Sequence, residues 1–205
     1  MAKRTIYVVD DEEPIRRSLV LMLSLSGNTV IAFDSGAALL NVAEALSPGC
    51  LLLDMRMPDM NGLQVQSRLA EREIGMPIVI MTGHGDQSVA VAALKQGAVA
   101  FLEKPFAKAA LVEALETAFL KLEHPERYGH YLASAAAKVE ALRKDDQALL
   151  AGLAAGRSNE KIAANLAISA ATMDMRRARL LAELRVESMS EALTMAFAKG
   201  VPQWD

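Results

Sequence analysis

The chain has 205 residues, of which 52% are hydrophobic, and its formal net charge is −3. This composition excludes a globally disordered chain and an all-over basic coat for nucleic acid, although it allows a local basic patch. The single cysteine, Cys50, excludes an intrachain disulfide, and its apolar surroundings indicate a small core residue. No apolar stretch reaches the ~20 residues of a membrane span and the N-terminus does not have a signal-peptide pattern, so we expect a soluble cytoplasmic protein.

Five short aliphatic runs predict the strands of a sheet. Four of them are unbroken by polar residues, which is typical of strands buried on both faces of a parallel sheet. Segments with helical periodicity separate the runs, and this alternation predicts a doubly wound α/β domain over residues 1–122. We assign it the flavodoxin-like strand order 2-1-3-4-5. The runs cover residues 5–9, 29–33, 50–53, 78–81 and 99–102, and the helical segments include residues 14–26, 37–46, 63–73 and 88–96.

Charged and hydroxyl side chains stand at the carboxyl ends of these runs. Asp10 and Asp11 end the first run, Asp54 ends the third, Thr82 closes the fourth and Lys104 follows the fifth. Open α/β sheets bind ligands outside the carboxyl ends of their strands, so we expect these groups to share one crevice. Asp54 is the predicted nucleophile and phosphoacceptor of an aspartyl-phosphate site. Lys104 is expected to pair with the phosphoryl oxygens, and Thr82 to donate its hydroxyl to one of them.

Carboxylates gathered this closely repel one another and favour a hard divalent cation such as Mg²⁺. We predict that Asp11 and Asp54 are ligands, that Asp10 acts through water, and that the backbone carbonyl of Arg56 completes the set. Each aspartate taken alone has a structural explanation, because Asp at a strand end is often a turn residue or a helix N-cap. The assignment of a metal and phosphorylation site therefore rests on the combination of these residues and not on any one of them.

Residues 1–122 resemble a two-component receiver domain of the FixJ-like subgroup. The resemblance implies that a partner histidine kinase phosphorylates Asp54 with Mg²⁺, and that the bond between Lys104 and Pro105 is cis. It also implies that Thr82, Phe101 and Pro105 form a switch in which the aromatic ring follows a loop ordered by phosphate. Without the resemblance, Phe101 is equally well explained as a core residue. The motifs are Val9-Asp10-Asp11-Glu12, Leu53-Asp54-Met55-Arg56-Met57-Pro58-Asp59-Met60-Asn61-Gly62, Met81-Thr82-Gly83-His84-Gly85-Asp86 and Phe101-Leu102-Glu103-Lys104-Pro105-Phe106.

Helical segments alone fill the rest of the chain. Pro125 and Gly129 interrupt the pattern, and residues 123–144 predict a helical linker that could extend the fifth helix of the first domain. Residues 145–205 have no strand candidate and predict a small all-α domain of four helices. Two of them, residues 158–166 and 169–184, are joined by a short turn as in a helix-turn-helix, so the second would lie in a DNA major groove. The helices cover residues 145–155, 158–166, 169–184 and 189–199.

Residues 145–205 resemble a LuxR-type output domain of the NarL/FixJ family. The matching motifs are Gly156-Arg157-Ser158-Asn159-Glu160-Lys161-Ile162-Ala163, Leu166-Ala167-Ile168-Ser169, Val186-Glu187-Ser188 and Glu191-Ala192. The DNA-contacting face departs from the family at Ala171, Arg176, Glu183 and the pair Asp145-Asp146, and the side-chain charges of residues 146–205 sum to zero. The candidate DNA-contacting residues are Ser158, Asn159, Lys161, Ser169, Thr172, Arg176, Arg177 and Arg179.

The sequence predicts a response regulator in which phosphorylation controls transcription. Phosphorylated receivers would dimerise through the segment Ser88–Leu102, and the two output domains of the dimer would bind two half-sites of DNA. The altered recognition helix leaves an alternative, in which the output domain binds protein rather than DNA. We do not expect an enzyme, because an aspartyl-phosphate hydrolase needs a second acid where Arg56 stands.

Overall fold

The structure, a computed structural model, describes residues 3–83 and 87–199. It divides into two compact units, one of residues 1–86 with 96–125 and one of residues 87–95 with 126–205. His84, Gly85 and Asp86 of the third receiver motif and residues 200–205 of the predicted output domain lie outside the described residues. Within the described residues, no helix combines the length and the apolarity needed to cross a bilayer.

A five-stranded parallel sheet forms the centre of the first unit. Its strand order, β2-β1-β3-β4-β5, confirms the prediction. The central strand β3 is buried along its whole length, and its register places Leu53 beside Val9 and Asp54 beside Met81. The sheet therefore brings the carboxyl ends of β1, β3 and β4 to one edge. The strands are β1 (Thr5–Val9), β2 (Thr29–Phe33), β3 (Cys50–Asp54), β4 (Ile78–Thr82) and β5 (Ala100–Glu103).

Helices follow the strands in alternation. The predicted second helix is shorter than its periodicity suggested, because the chain passes into a 3₁₀ turn at Ala43–Ala45. The third begins with a reciprocal cap, in which the side chains of Asn61 and Gln64 each accept the other residue's backbone N–H at 2.9 Å. The helices are α1 (Glu13–Leu25), α2 (Gly36–Val42), α3 (Gly62–Glu71), α4 (Gln87–Lys95), which is grouped with the second unit, and α5 (Lys108–Glu123).

Packing against the sheet fixes these helices by burial of apolar side chains. Leu19 and Leu23 of α1, and Leu111 and Phe119 of α5, are almost completely buried, and each contributes about 1.5–3 kcal/mol by leaving water. Cys50 is fully buried, which confirms its interpretation as a core residue. The core thus holds the strands rigidly and leaves their carboxyl ends available for chemistry.

Arg4 connects the start of the sheet to α5. Its guanidinium donates to the carboxylates of Glu116 at 2.7 Å and Glu123 at 2.8 Å, and lies 4.6 Å from the centre of the Phe119 ring. This arrangement combines charge-assisted hydrogen bonds with a cation–π contact. It ties the first residues of the domain to its last helix.

Helices joined by short turns make up residues 126–199 of the second unit, with no strand among these described residues. Its first long helix begins at Pro125 and continues through Gly129, so the predicted interruption is confined to His124. Proline is tolerated there because the first turn of a helix leaves its N–H groups without intrahelical partners. The helices are α6 (Pro125–Glu140), α7 (Lys144–Ala154), α8 (Asn159–Asn165), α9 (Ala170–Leu184) and α10 (Met189–Ala196), followed by a 3₁₀ turn at Phe197–Lys199.

Two serine caps define the helix-turn-helix formed by α8 and α9. The Ser158 hydroxyl accepts the Lys161 N–H at the start of α8, and the Ser169 hydroxyl accepts the Thr172 N–H at 3.2 Å at the start of α9. Ala167 in the turn has a φ of 51°, in the left-handed region. The inward face of α9 is buried at Met173, Leu180 and Leu184.

Candidate functional site

The ends of three strands bring two carboxylates and one ammonium into contact. Lys104 Nζ, after β5, lies 2.8 Å from Asp10 Oδ2 at the end of β1 and 2.5 Å from Asp54 Oδ1 at the end of β3. Both carboxylates are buried, and 17% of the Lys104 side chain is exposed. Three of the predicted site residues therefore share one pocket, although 94 residues separate Asp10 from Lys104 in the sequence.

The second oxygen of each carboxylate accepts a backbone hydrogen bond. Asp54 Oδ2 accepts from Arg56 N at 2.7 Å, and Asp10 Oδ1 accepts from Glu12 N at 2.9 Å. Asp10 therefore also has the turn role that its position at a strand end suggested. These bonds fix both carboxylates with one oxygen toward Lys104, which is the rigidity that a nucleophile needs.

Burial and charge act in opposite directions on the ionisation of this pocket. Burial raises the pKa of Asp54 above its ordinary value, although the hydrogen bond and charge of Lys104 oppose the rise. Burial alone would lower the pKa of Lys104, but hydrogen bonds to Asp10 and Asp54 outweigh it, so that pKa is raised. Lys104 is therefore firmly cationic, whereas the pocket disfavours the charge of Asp54.

The other predicted receiver residues lie on strands β4 and β5 and in the segment after β5. Thr82 is buried at the end of β4, with its hydroxyl 3.5 Å from the Gly83 carbonyl. Phe101 is buried on β5 in register with Ile80. The bond between Lys104 and Pro105 is cis, as the resemblance implied.

The donors of the pocket are of the kind that a hard cation prefers. Asp10 and Asp54 supply carboxylate oxygens, and their two negative charges exceed the single charge of Lys104. Asp11 is exposed, and among residues 3–83 and 87–199 no group of three His, Cys, Asp or Glu side chains is arranged to hold a metal ion. The carboxylate chemistry and the charge excess of Asp10 and Asp54 therefore fit Mg²⁺.

Two residues that the sequence did not single out support the pocket. Arg16 of α1 donates from Nη1 to the Asp10 carbonyl at 2.7 Å, and an arginine on an amphipathic helix gives no sequence signal of such a contact. Gly62 begins α3 directly against the Asp54 backbone, where an added Cβ would lie 2.8 Å from the Asp54 carbonyl oxygen. The motif containing Gly62 was visible in the sequence, but the reason for the glycine was not.

In the second unit, the three arginines predicted to contact DNA are engaged by other residues of the domain. Arg176 donates to Asp145 at 2.9 Å, Arg177 donates to the Asn159 side chain at 2.7 Å, and Arg179 donates to both Asp146 oxygens at 2.6 and 2.7 Å. Ser158 and Ser169 are helix caps, the Thr172 hydroxyl lies 2.9 Å from that of Ser169, and Lys161 is exposed.

Family comparisons match both units. Residues 6–116 match the response regulator receiver domain, and residues 142–196 match the luxR family of bacterial regulatory proteins. The chain is 37% identical over 200 residues to the transcriptional regulatory protein FixJ of Rhizobium meliloti (strain 1021), with 98% of each chain covered. The chain belongs to the response regulators with a LuxR-type output domain. It is a phosphorylation-controlled regulator of transcription.

Other relatives support this placement in the response regulator family. The response regulator protein TodT of Pseudomonas putida (strain F1) is 36% identical over 187 residues, covering 91% of this chain and 82% of its own. The crystal structure of full-length FixJ from B. japonicum superposes with a TM-score of 0.59 at 37% identity, covering 97% and 98% of the two chains. The relatives are named as regulators rather than enzymes. Receiver domains generally use Mg²⁺ for phosphorylation. The luxR match favours the interpretation in which the output domain binds DNA over the one in which it binds protein.

Proposed function

We propose that this response regulator is switched by transfer of a phosphoryl group from a partner histidine kinase to Asp54, with Mg²⁺, in the cytoplasm where its DNA target lies. The observation that supports Asp54 as the phosphoacceptor is its contact with Lys104. It is a buried carboxylate at the end of the central strand, held in one orientation, with a cation 2.5 Å away. Such a group is a nucleophile with a ready partner for the charge it acquires.

In the proposed transfer, an Asp54 oxygen attacks the phosphorus of a phosphohistidine. The new bond joins that oxygen to phosphorus, the phosphorus–nitrogen bond breaks, and the histidine nitrogen keeps the electron pair. Lys104 then exchanges its contact with Asp54 for one with a phosphoryl oxygen, and the Thr82 hydroxyl donates to another. Asp10, Asp11, Asp54 and the Arg56 carbonyl would hold Mg²⁺, which when bound neutralises charge on the phosphoryl oxygens.

Phosphorylation would act at a distance through the switch and the output domain. In this proposal, Thr82, Phe101 and Pro105 rearrange around the phosphoryl group, and residues 88–102 form the dimer contact. The dimer places two copies of α9 on two half-sites of DNA. The proposed DNA-contacting residues are Ser158, Asn159, Lys161, Ser169, Thr172, Arg176, Arg177 and Arg179.

Intact-protein mass spectrometry with acetyl phosphate tests the phosphoacceptor. The wild-type chain should gain one phosphoryl group with Mg²⁺ and none with EDTA. Asp54→Asn should gain none, and Asp59→Asn, which removes an exposed aspartate of the same loop, should behave like the wild type. Labelling of Asp54→Asn at the wild-type rate would place the phosphoacceptor elsewhere.

A further inference from the structure

The ion pairs of α9 differ in how easily DNA could break them. Asp146 is completely buried, and it faces Arg179 at 2.6 Å and Arg143 at 3.3 Å. Removing one partner of such a pair leaves a buried charge uncompensated. Arg179 therefore holds α9 against α7, and a DNA phosphate could take its guanidinium from Asp146 only by leaving that buried carboxylate less well compensated.

Asp145, the neighbouring residue, is placed differently. Its side chain is 61% exposed, that of Arg176 is 19% exposed, and Asp145 accepts a hydrogen bond from Arg176 Nη1 at 2.9 Å. Ion pairs that are open to solvent contribute little to stability, and the carboxylate side of this pair is open, so another anion can replace Asp145 at a smaller cost than it could replace the buried Asp146. Arg176 lies in the middle of α9, the second helix of the helix-turn-helix, within the segment that matches the luxR family.

The output domain has no excess of positive charge. The side chains of residues 146–205 carry seven basic and seven acidic groups, so their charges sum to zero. DNA affinity in such a protein depends strongly on each cation that reaches a phosphate. An anion that already occupies Arg176 therefore has a large relative effect.

We propose that Asp145 sets the DNA affinity of this chain, as a built-in counter-ion that a DNA phosphate must displace from Arg176. The inference rests on the proposed contact of Arg176 with DNA. Asp145 acts as a competitor for that contact and not as a contact itself, because a carboxylate repels the phosphate backbone. Its removal gives tighter binding, and the gain is greatest at low salt.

Fluorescence anisotropy of the full chain, phosphorylated with acetyl phosphate and Mg²⁺, on a labelled duplex of mixed sequence tests this role. Asp145→Asn keeps the size of the side chain and removes its charge, so it should bind several-fold more tightly at about 50 mM salt. One added phosphate contact steepens the plot of log affinity against log salt concentration by about 0.9. The ratio of the variant's affinity to that of wild type should therefore fall about threefold between about 50 and about 200 mM salt. Glu187→Gln, which removes an exposed charge beyond the end of α9, controls for the change in net charge.

A double-mutant comparison separates release of Arg176 from general repulsion. In an Arg176→Met background, Asp145→Asn should improve binding no more than Glu187→Gln does. An equal gain in both backgrounds, or a gain in Asp145→Asn no larger than in Glu187→Gln, overturns the role of Asp145 while leaving DNA binding intact. Absence of binding by every variant at low salt would overturn the inference together with the proposed DNA contact.

Discussion

Replacement of Gly62 by alanine should impair both stability and phosphorylation, because the glycine is pressed against the phosphoacceptor strand. The added Cβ would lie 2.8 Å from the Asp54 carbonyl oxygen and 3.2 Å from Met55 Cα. These are backbone atoms that no rotamer change can move away, so the start of α3 and the end of β3 must separate by a few tenths of an ångström. Overpacking of this kind costs about 1–3 kcal/mol, more than the small gain in helix propensity at a first-turn position.

The same displacement reaches the nucleophile, because Asp54 itself carries the carbonyl that is pushed. A misplacement of about 1 Å can cost on the order of 100-fold in rate, so a smaller shift should slow phosphorylation by acetyl phosphate several-fold. Urea unfolding and time-resolved mass spectrometry measure the two effects. Gly75→Ala is the matched control, since nothing lies within 4 Å of its added Cβ. If Gly62→Ala matches that control in stability and wild type in rate, the steric reasoning is wrong.

Two further predictions concern charge and backbone. The raised pKa of Asp54 means that the folded state binds its proton more tightly than the unfolded state, so stability should fall as pH rises above the ordinary carboxyl value of about 4. Urea unfolding should show this loss in wild type and a smaller one in Asp54→Asn; equal pH profiles would contradict it. Ala167→Gly should stabilise the output domain by about 0.5–1 kcal/mol, because alanine is strained at a φ of 51°. Ala164→Gly, within α8, should instead destabilise it by about 1 kcal/mol, and the same sign for both in thermal unfolding would refute the argument.

The receiver pocket was predictable because one rule connects local sequence to three-dimensional position. Apolar runs predict parallel strands, and parallel strands in the order 2-1-3-4-5 deliver their terminal residues to one edge. Asp10, Asp54 and Lys104 could therefore be placed together without any contact information. The rule does not give the degree of burial, which differs between the neighbours Asp10, which is buried, and Asp11, which is exposed.

The charge state of the output domain was less accessible to sequence reasoning. The arginines of α9 predicted a basic cluster, but their partners are far away in the sequence: Asp145 lies 31 residues from Arg176, and Asp146 lies 33 from Arg179. Ion pairs between helices follow no periodicity and depend on how the helices pack. Pro125 shows a related limit, because the residue that stops one helix also suits the first turn of the next.

The pocket around Lys104 also has a consequence for synthesis of the chain. Asp10 is synthesised 94 residues before its ammonium partner Lys104, which follows the last strand of the sheet. Contacts of such long sequence separation form late in folding. A receiver that is still being synthesised, or is truncated before Lys104, therefore lacks the cation of the phosphorylation pocket, and we expect only the complete domain to be phosphorylated efficiently.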